Sequence, residues 1–111
     1  MTNYITIDDL IKVELYTGTI EHCEEVSGSD KLVKMTVDLG DKGKRTILAG
    51  IKKHYTPAEL IGKRGLFVIN LAPRKMAGVE SQGMMLVAED KNGKVQLVQF
   101  DENVGNGVRL R

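Results

Sequence analysis

The sequence predicts an all-β barrel of five main strands, with short helices and a C-terminal extension. Three observations carry this expectation. Short apolar segments alternate with period two. Clusters of Gly, Ser, Asp and Asn separate them. The one strong helix signal falls between the third and fourth strands. At 111 residues the chain is most simply one domain spanning 1–111, long enough to bury a core without metals or disulfides. The barrel is expected over about residues 12–90 and the extension over about 91–111.

Taken in order, Thr6-Ile7-Asp8-Asp9 before Leu10-Ile11 resembles a capping box opening a single helical turn. A strand is expected from Val13 to about Val26, in imperfect alternation that Gly18 bends. Ser27-Gly28-Ser29-Asp30 is a turn. Between Leu32 and Leu39, Val33, Met35, Val37 and Leu39 form one apolar face, which marks a half-buried strand. A hairpin loop at Gly40-Asp41-Lys42-Gly43-Lys44 returns the chain as Arg45 to Ala49. Thr56-Pro57-Ala58-Glu59-Leu60-Ile61-Gly62 has Thr at the N-cap, Pro at N1, Glu at N3 and Gly past the end, the pattern of one short helix. Leu66 to Ile69 and Met84 to Ala88 read as strands joined by an irregular segment. Val95 to Phe100 follows the turn Asp90-Lys91-Asn92-Gly93 as another. This order is that of an OB-fold, a partly open Greek-key barrel.

Charge is uneven although the net value is only +1. Residues 1–41 hold nine acids and three bases, residues 42–75 one acid and nine bases, and residues 76–111 five acids and four bases. The middle block, with Lys42, Lys44, Arg45, Lys52, Lys53, Lys63, Arg64, Arg74 and Lys75 against Glu59, suits one positive face toward phosphates. A catalytic constellation is not visible. His22 and Cys23 adjoin on an expected strand and so point to opposite faces, which separates a nucleophile from its base. Cys23 is the only cysteine, and with His22 and His54 it makes no zinc ligand set. Neither a cofactor nor a metal is expected. Met1-Thr2-Asn3-Tyr4 lacks a charged leader and no apolar run approaches the ~20 residues of a membrane span, so the expected location is cytoplasmic, with no membrane partner.

The irregular segment from Asn70 to Asp90 is the candidate binding element. Arg74 and Lys75 offer cationic heads beside Pro73, and Ser81 and Gln82 offer donors and acceptors for base edges. Met84 and Met85 alternate, so one faces out toward a base or ribose while Met85 packs inward. With three Tyr, two Phe and no Trp, a stacking platform for single strands is thin, and a structured RNA read by shape suits the chain better.

Several separated motifs resemble the tRNA-binding domain found as a free-standing structure-specific tRNA-binding protein and at the C-terminus of bacterial methionyl-tRNA synthetases. They are Ile5 to Val13, Gly28-Ser29-Asp30-Lys31-Leu32, Arg45 to Ile51, Tyr55 to Leu60, Asn70 to Met76, and Ser81-Gln82-Gly83-Met84. The resemblance implies an OB-fold, no catalysis and tRNA binding by shape. The implied tRNA-binding set is Lys31, Lys52, Lys53, Asn70, Arg74, Lys75, Ser81, Gln82 and Met84. A synthetase catalytic domain in the same chain is a further implied partner. The chain departs from more distant members at Val26-Ser27-Gly28-Ser29, where they carry His-Pro, and at Leu15-Tyr16-Thr17, where Leu-Arg-Val is commoner. A dimeric export-related chaperone of the same superfamily, which binds unfolded peptide, shares the Ser-x-Gly-Met region and is the alternative. The resemblance also implies a homodimer through the C-terminal portion with help from the N-terminal turn. Val95, Leu97, Val98, Phe100, Val104, Val108 and Leu110 point the same way, as apolar residues beyond what a five-stranded barrel needs.

Overall fold

The computed structural model describes residues 2–111; Met1, at the head of the N-terminal stretch read above, lies outside them. Helix α1 spans Ile7–Ile11, and its capping box is complete: the Thr6 hydroxyl accepts from the Asp9 N–H and the Asp9 carboxylate from the Thr6 N–H, both at 3.1 Å. Strand β1 (Leu15–Glu25) pairs antiparallel with β2 (Val33–Asp38), and β2 with β3 (Lys44–Ala49). Helix α2 (Pro57–Leu60) follows, then β4 (Arg64–Val68) on the other side of β1. The small strands β5 (Arg74–Met76) and β6 (Val79–Ser81) form a separate hairpin before β7 (Met84–Glu89), β8 (Val95–Leu97) and β9 (Arg109–Leu110). The main sheet runs β3-β2-β1-β4-β7-β8, with β9 on β1.

Period-two patterning explains β2 directly, since Val33, Met35, Val37 and Leu39 are fully buried. In β1 the alternation is imperfect because a bulge falls between Ile20 and His22. The extra residue shifts the phase, so that Ile20 and Cys23 both face the core. Gly18, expected to bend this strand, is closely packed against β2. A Cβ there would stand 2.8 Å from Val37 Cγ1 and 2.9 Å from Leu39 Cδ2. Phe67 and Met85, from β4 and β7, fill the interior, and Leu60 of α2 enters the same cluster fully buried, a contribution of about 1.5–3 kcal/mol.

The β3 edge meets the segment ahead of β7 without a regular ladder. The Gln82 N–H donates to the Thr46 carbonyl at 2.8 Å, the Gln82 side-chain oxygen accepts from the Thr46 N–H at 3.0 Å, and the Ser81 hydroxyl accepts from the Leu48 N–H at 3.0 Å. The five strands β1, β2, β3, β4 and β7 thereby close as an OB-type barrel.

The expected C-terminal extension is part of the fold. Val95 and Leu97 lie in the core cluster, and β8 stops at Leu97 rather than Phe100. Further on, the tail is stitched to Thr17, a fully buried polar residue of β1. The Thr17 hydroxyl donates to the Gly105 carbonyl at 2.7 Å and accepts from the Val108 N–H at 3.0 Å. The Thr17 backbone bonds Val108 at 3.0 Å and Gly107 at 2.8 Å. Gly107, at φ 74°, leaves room for the Leu39 carbonyl, which a Cβ would meet at 2.4 Å.

Candidate nucleic-acid interface

The irregular segment between β4 and β7 is ordered by backbone bonds at both ends. At its start, the Asn70 carboxamide accepts from the Glu14 N–H at 2.9 Å and donates to the Lys12 carbonyl at 2.6 Å, which ties the segment to the N-terminal connection. The chain then turns through Ala77 (φ 48°) and Gly78 (φ 79°), two consecutive left-handed residues that bring β6 back along β5. At its end, Ser81 is only 3% exposed, and its hydroxyl also donates to the Gly83 carbonyl at 3.1 Å. Gly83 allows close passage, since a Cβ would stand 2.9 Å from the Val68 carbonyl oxygen. Arg45, half-buried, reaches across from β3 to donate to the Ile69 carbonyl.

These contacts divide the expected site residues. Asn70, Ser81 and Gln82 each bond backbone groups through their side chains, and Ser81 also lines a recess beside Met84. Met84 projects outward and separates two recesses, each about 360 Å³. Arg74, Met76 and Leu71 line one, together with Ser81. Gly50, His54 and Glu89 line the other. His54 is thus brought beside Met84 from the β3–α2 loop, a proximity that sequence spacing does not reveal. On the same loop, the Lys52 N–H donates to the Lys31 carbonyl at 3.0 Å, so the two lysines are neighbours.

Part of the basic middle block is paired with acids of the first block. Lys44 on β3 meets Glu21 on β1 at 3.0 Å across β2, and Lys52 meets Glu25 at 3.5 Å. The hydrogen bond to Glu21 raises the Lys44 pKa. Lys42 stands 5.2 Å from the Tyr16 ring centroid. Lys31, Lys53, Arg74 and Lys75 are exposed and carry no ion pair among the described residues. No group of three or more His, Cys, Asp or Glu placed to hold a metal occurs among the described residues. Nor is any helix among them long and apolar enough to cross a membrane.

Barrel order, the α2 position between β3 and β4, and a modified β4–β7 connection define an OB-fold domain. The chain belongs to the tRNA-binding domain family: the model of that family, described as a putative tRNA binding domain, matches residues 15–109. It is 46% identical over 108 residues to a methionine–tRNA ligase of Caldanaerobacter subterraneus subsp. tengcongensis, covering 97% of this chain and 17% of the ligase. The chain thus spans about a sixth of that relative's length. Among solved structures, a MetRS-related protein from Pyrococcus horikoshii superposes with TM-score 0.94 at 39% identity, covering 99% of this chain and all of that one. The chaperone CsaA from Bacillus anthracis superposes with TM-score 0.87 at 28% identity, covering 98% of this chain and all of that one.

Proposed function

We propose that this domain binds tRNA by shape, without catalysing a reaction, either as a free-standing protein or as the appended C-terminal domain of a cytoplasmic methionyl-tRNA synthetase. The observation that carries the reading is Met84: an exposed, polarizable side chain between two recesses, with Arg74 lining one and His54 the other. An unstacked base or a ribose fits against such a ridge, while Arg74, Lys75 and Lys53 meet the flanking phosphates and Lys31 and Lys52 extend the contact. Asn70, Ser81 and Gln82 act by holding that ridge in shape.

The binding unit is a homodimer. Ile7 and Leu10 are 76% and 53% exposed, and with Ile11, Val13 and Leu110 they line an apolar recess of about 410 Å³. A second copy covers this surface, and two protomers together span more of an L-shaped RNA than one.

Binding of unfolded peptide is a second reading, favoured by the likeness to the chaperone and by the apolar lining beside Met84. Parallel titrations with tRNA and with an unfolded polypeptide separate the two. For tRNA, three phosphate contacts by Lys53, Arg74 and Lys75 give a slope of roughly 2 to 3 log units of affinity per log unit of salt. Salt-independent binding, or tighter binding of the polypeptide than of tRNA, overturns the tRNA reading.

A further inference from the structure

The geometry points to a second nucleotide-binding cleft, where the α2–β4 turn meets the segment after β8. Lys63, Arg64, Leu97, Gln99, Phe100 and Glu102 line a cleft of about 310 Å³, which shares no lining residue with the recesses beside Met84. Leu97 is buried and Phe100 half-buried, while Lys63, Gln99 and Glu102 are exposed. Arg64 donates to the Asp101 carbonyl at 3.5 Å, which draws the segment toward β4. Lys63 and Glu102 form no ion pair with each other, so both remain available to a ligand.

The lining selects among ligands. An apolar molecule would leave cation, carboxylate and carboxamide unused, and a bare phosphate would face Glu102. A nucleotide uses all of them: its phosphate meets Lys63, its base stacks on Phe100, and Gln99 and Glu102 meet the base edge. Glu102, an acceptor when ionised, favours bases that carry an exocyclic amine. The volume lies at the lower end of small-ligand sites and suits one nucleotide. The inference rests on the tRNA reading in that the occupant is an unstacked nucleotide of the same RNA.

Amide-resolved NMR titration of the full chain with GMP, CMP, UMP and inorganic phosphate tests the cleft. Saturable shifts at residues 63–64 and 97–102, larger for GMP or CMP than for UMP and levelled by Glu102→Gln, support it. No saturable shift there, or equal shifts with phosphate alone, overturns it. In tRNA titrations, Phe100→Leu should weaken binding roughly five- to hundredfold. Exposed Lys63→Gln, which spares the core, should lower the salt slope by about one. Unchanged binding and slope in Lys63→Gln overturn the RNA role of the cleft even if Phe100→Leu fails to fold. If wild type binds no tRNA yet GMP still shifts these residues, the cleft stands and the tRNA reading falls.

Discussion

Met84 and Met85 are consecutive in β7, yet one is 47% exposed beside the rim recesses and the other only 6% exposed against Phe67 in the core. The strand's period of two assigns them different work. Met84→Ala should weaken tRNA binding with little change in stability. Met85→Ala should cost about 2–5 kcal/mol in denaturant unfolding. Equal effects of the two variants on both readouts would contradict this division.

Thr17 is the fastening point of the C-terminal tail. Thr17→Val keeps the side-chain shape but strands the Gly105 carbonyl and the Val108 N–H. A loss of about 1–3 kcal/mol is expected, read from urea unfolding. A change under about 0.5 kcal/mol would mean that water replaces both bonds.

The dimer surface is tested at α1. Leu10→Glu with Ile11→Glu places two carboxylates on the exposed apolar face without touching the core, since no residue of α1 is buried. Light scattering should report about twice 12.3 kDa for wild type and one chain mass for the variant. A wild-type monomer at micromolar concentration would remove the dimer proposal. A monomeric variant with full tRNA affinity would remove its functional part.

Cys23 lies in the core, and burial, helped by neighbouring Glu24, pushes its thiol up to about 11 from an ordinary 9.0. Alkylation in the native state should therefore be slow at neutral pH and accelerate on unfolding. The unfolded thiol ionises first, so this residue's contribution to stability is complete below pH 9.0 and declines as pH climbs toward about 11. Comparing stability across that window with a Cys23→Ala variant isolates the effect. Parallel pH curves for the two proteins would show that the thiol is not responsible.

Local chemistry made much of the fold readable. Thr6 and Thr56 each stand three residues before a carboxylate, and both capping boxes formed. Four alternating apolar residues from Val33 to Leu39 announced β2. The β5–β6 hairpin escaped notice because each strand has three residues and its turn places Ala77, not a second glycine, at positive φ. The backbone bonds of Asn70, Ser81 and Gln82 are not legible in sequence because their partners lie far off in the chain: Asn70 bonds backbone 56 and 58 residues away. Charge blocks mislead for the same reason, since β1 and β3 flank β2 and Lys44 reaches Glu21 across it. The tail's apolar residues look surplus in the sequence, yet Val95 and Leu97 pair with β7 and pack inward.

The Thr17–Gly105 bond joins positions 88 residues apart, and Arg109 on β9 also reaches the Ile11 carbonyl at 2.8 Å. During synthesis, β1 can zip with β2 as soon as both have emerged, but its first residues keep an open edge until β9 arrives. Closing so long a loop adds little entropy beyond that of a medium one, because the cost grows only with the logarithm of length. Its effect falls on timing instead. Until β9 emerges, Leu15 and Tyr16 present one unpaired strand edge to other nascent chains, so this edge of β1 is sealed only after the rest of the sheet has formed.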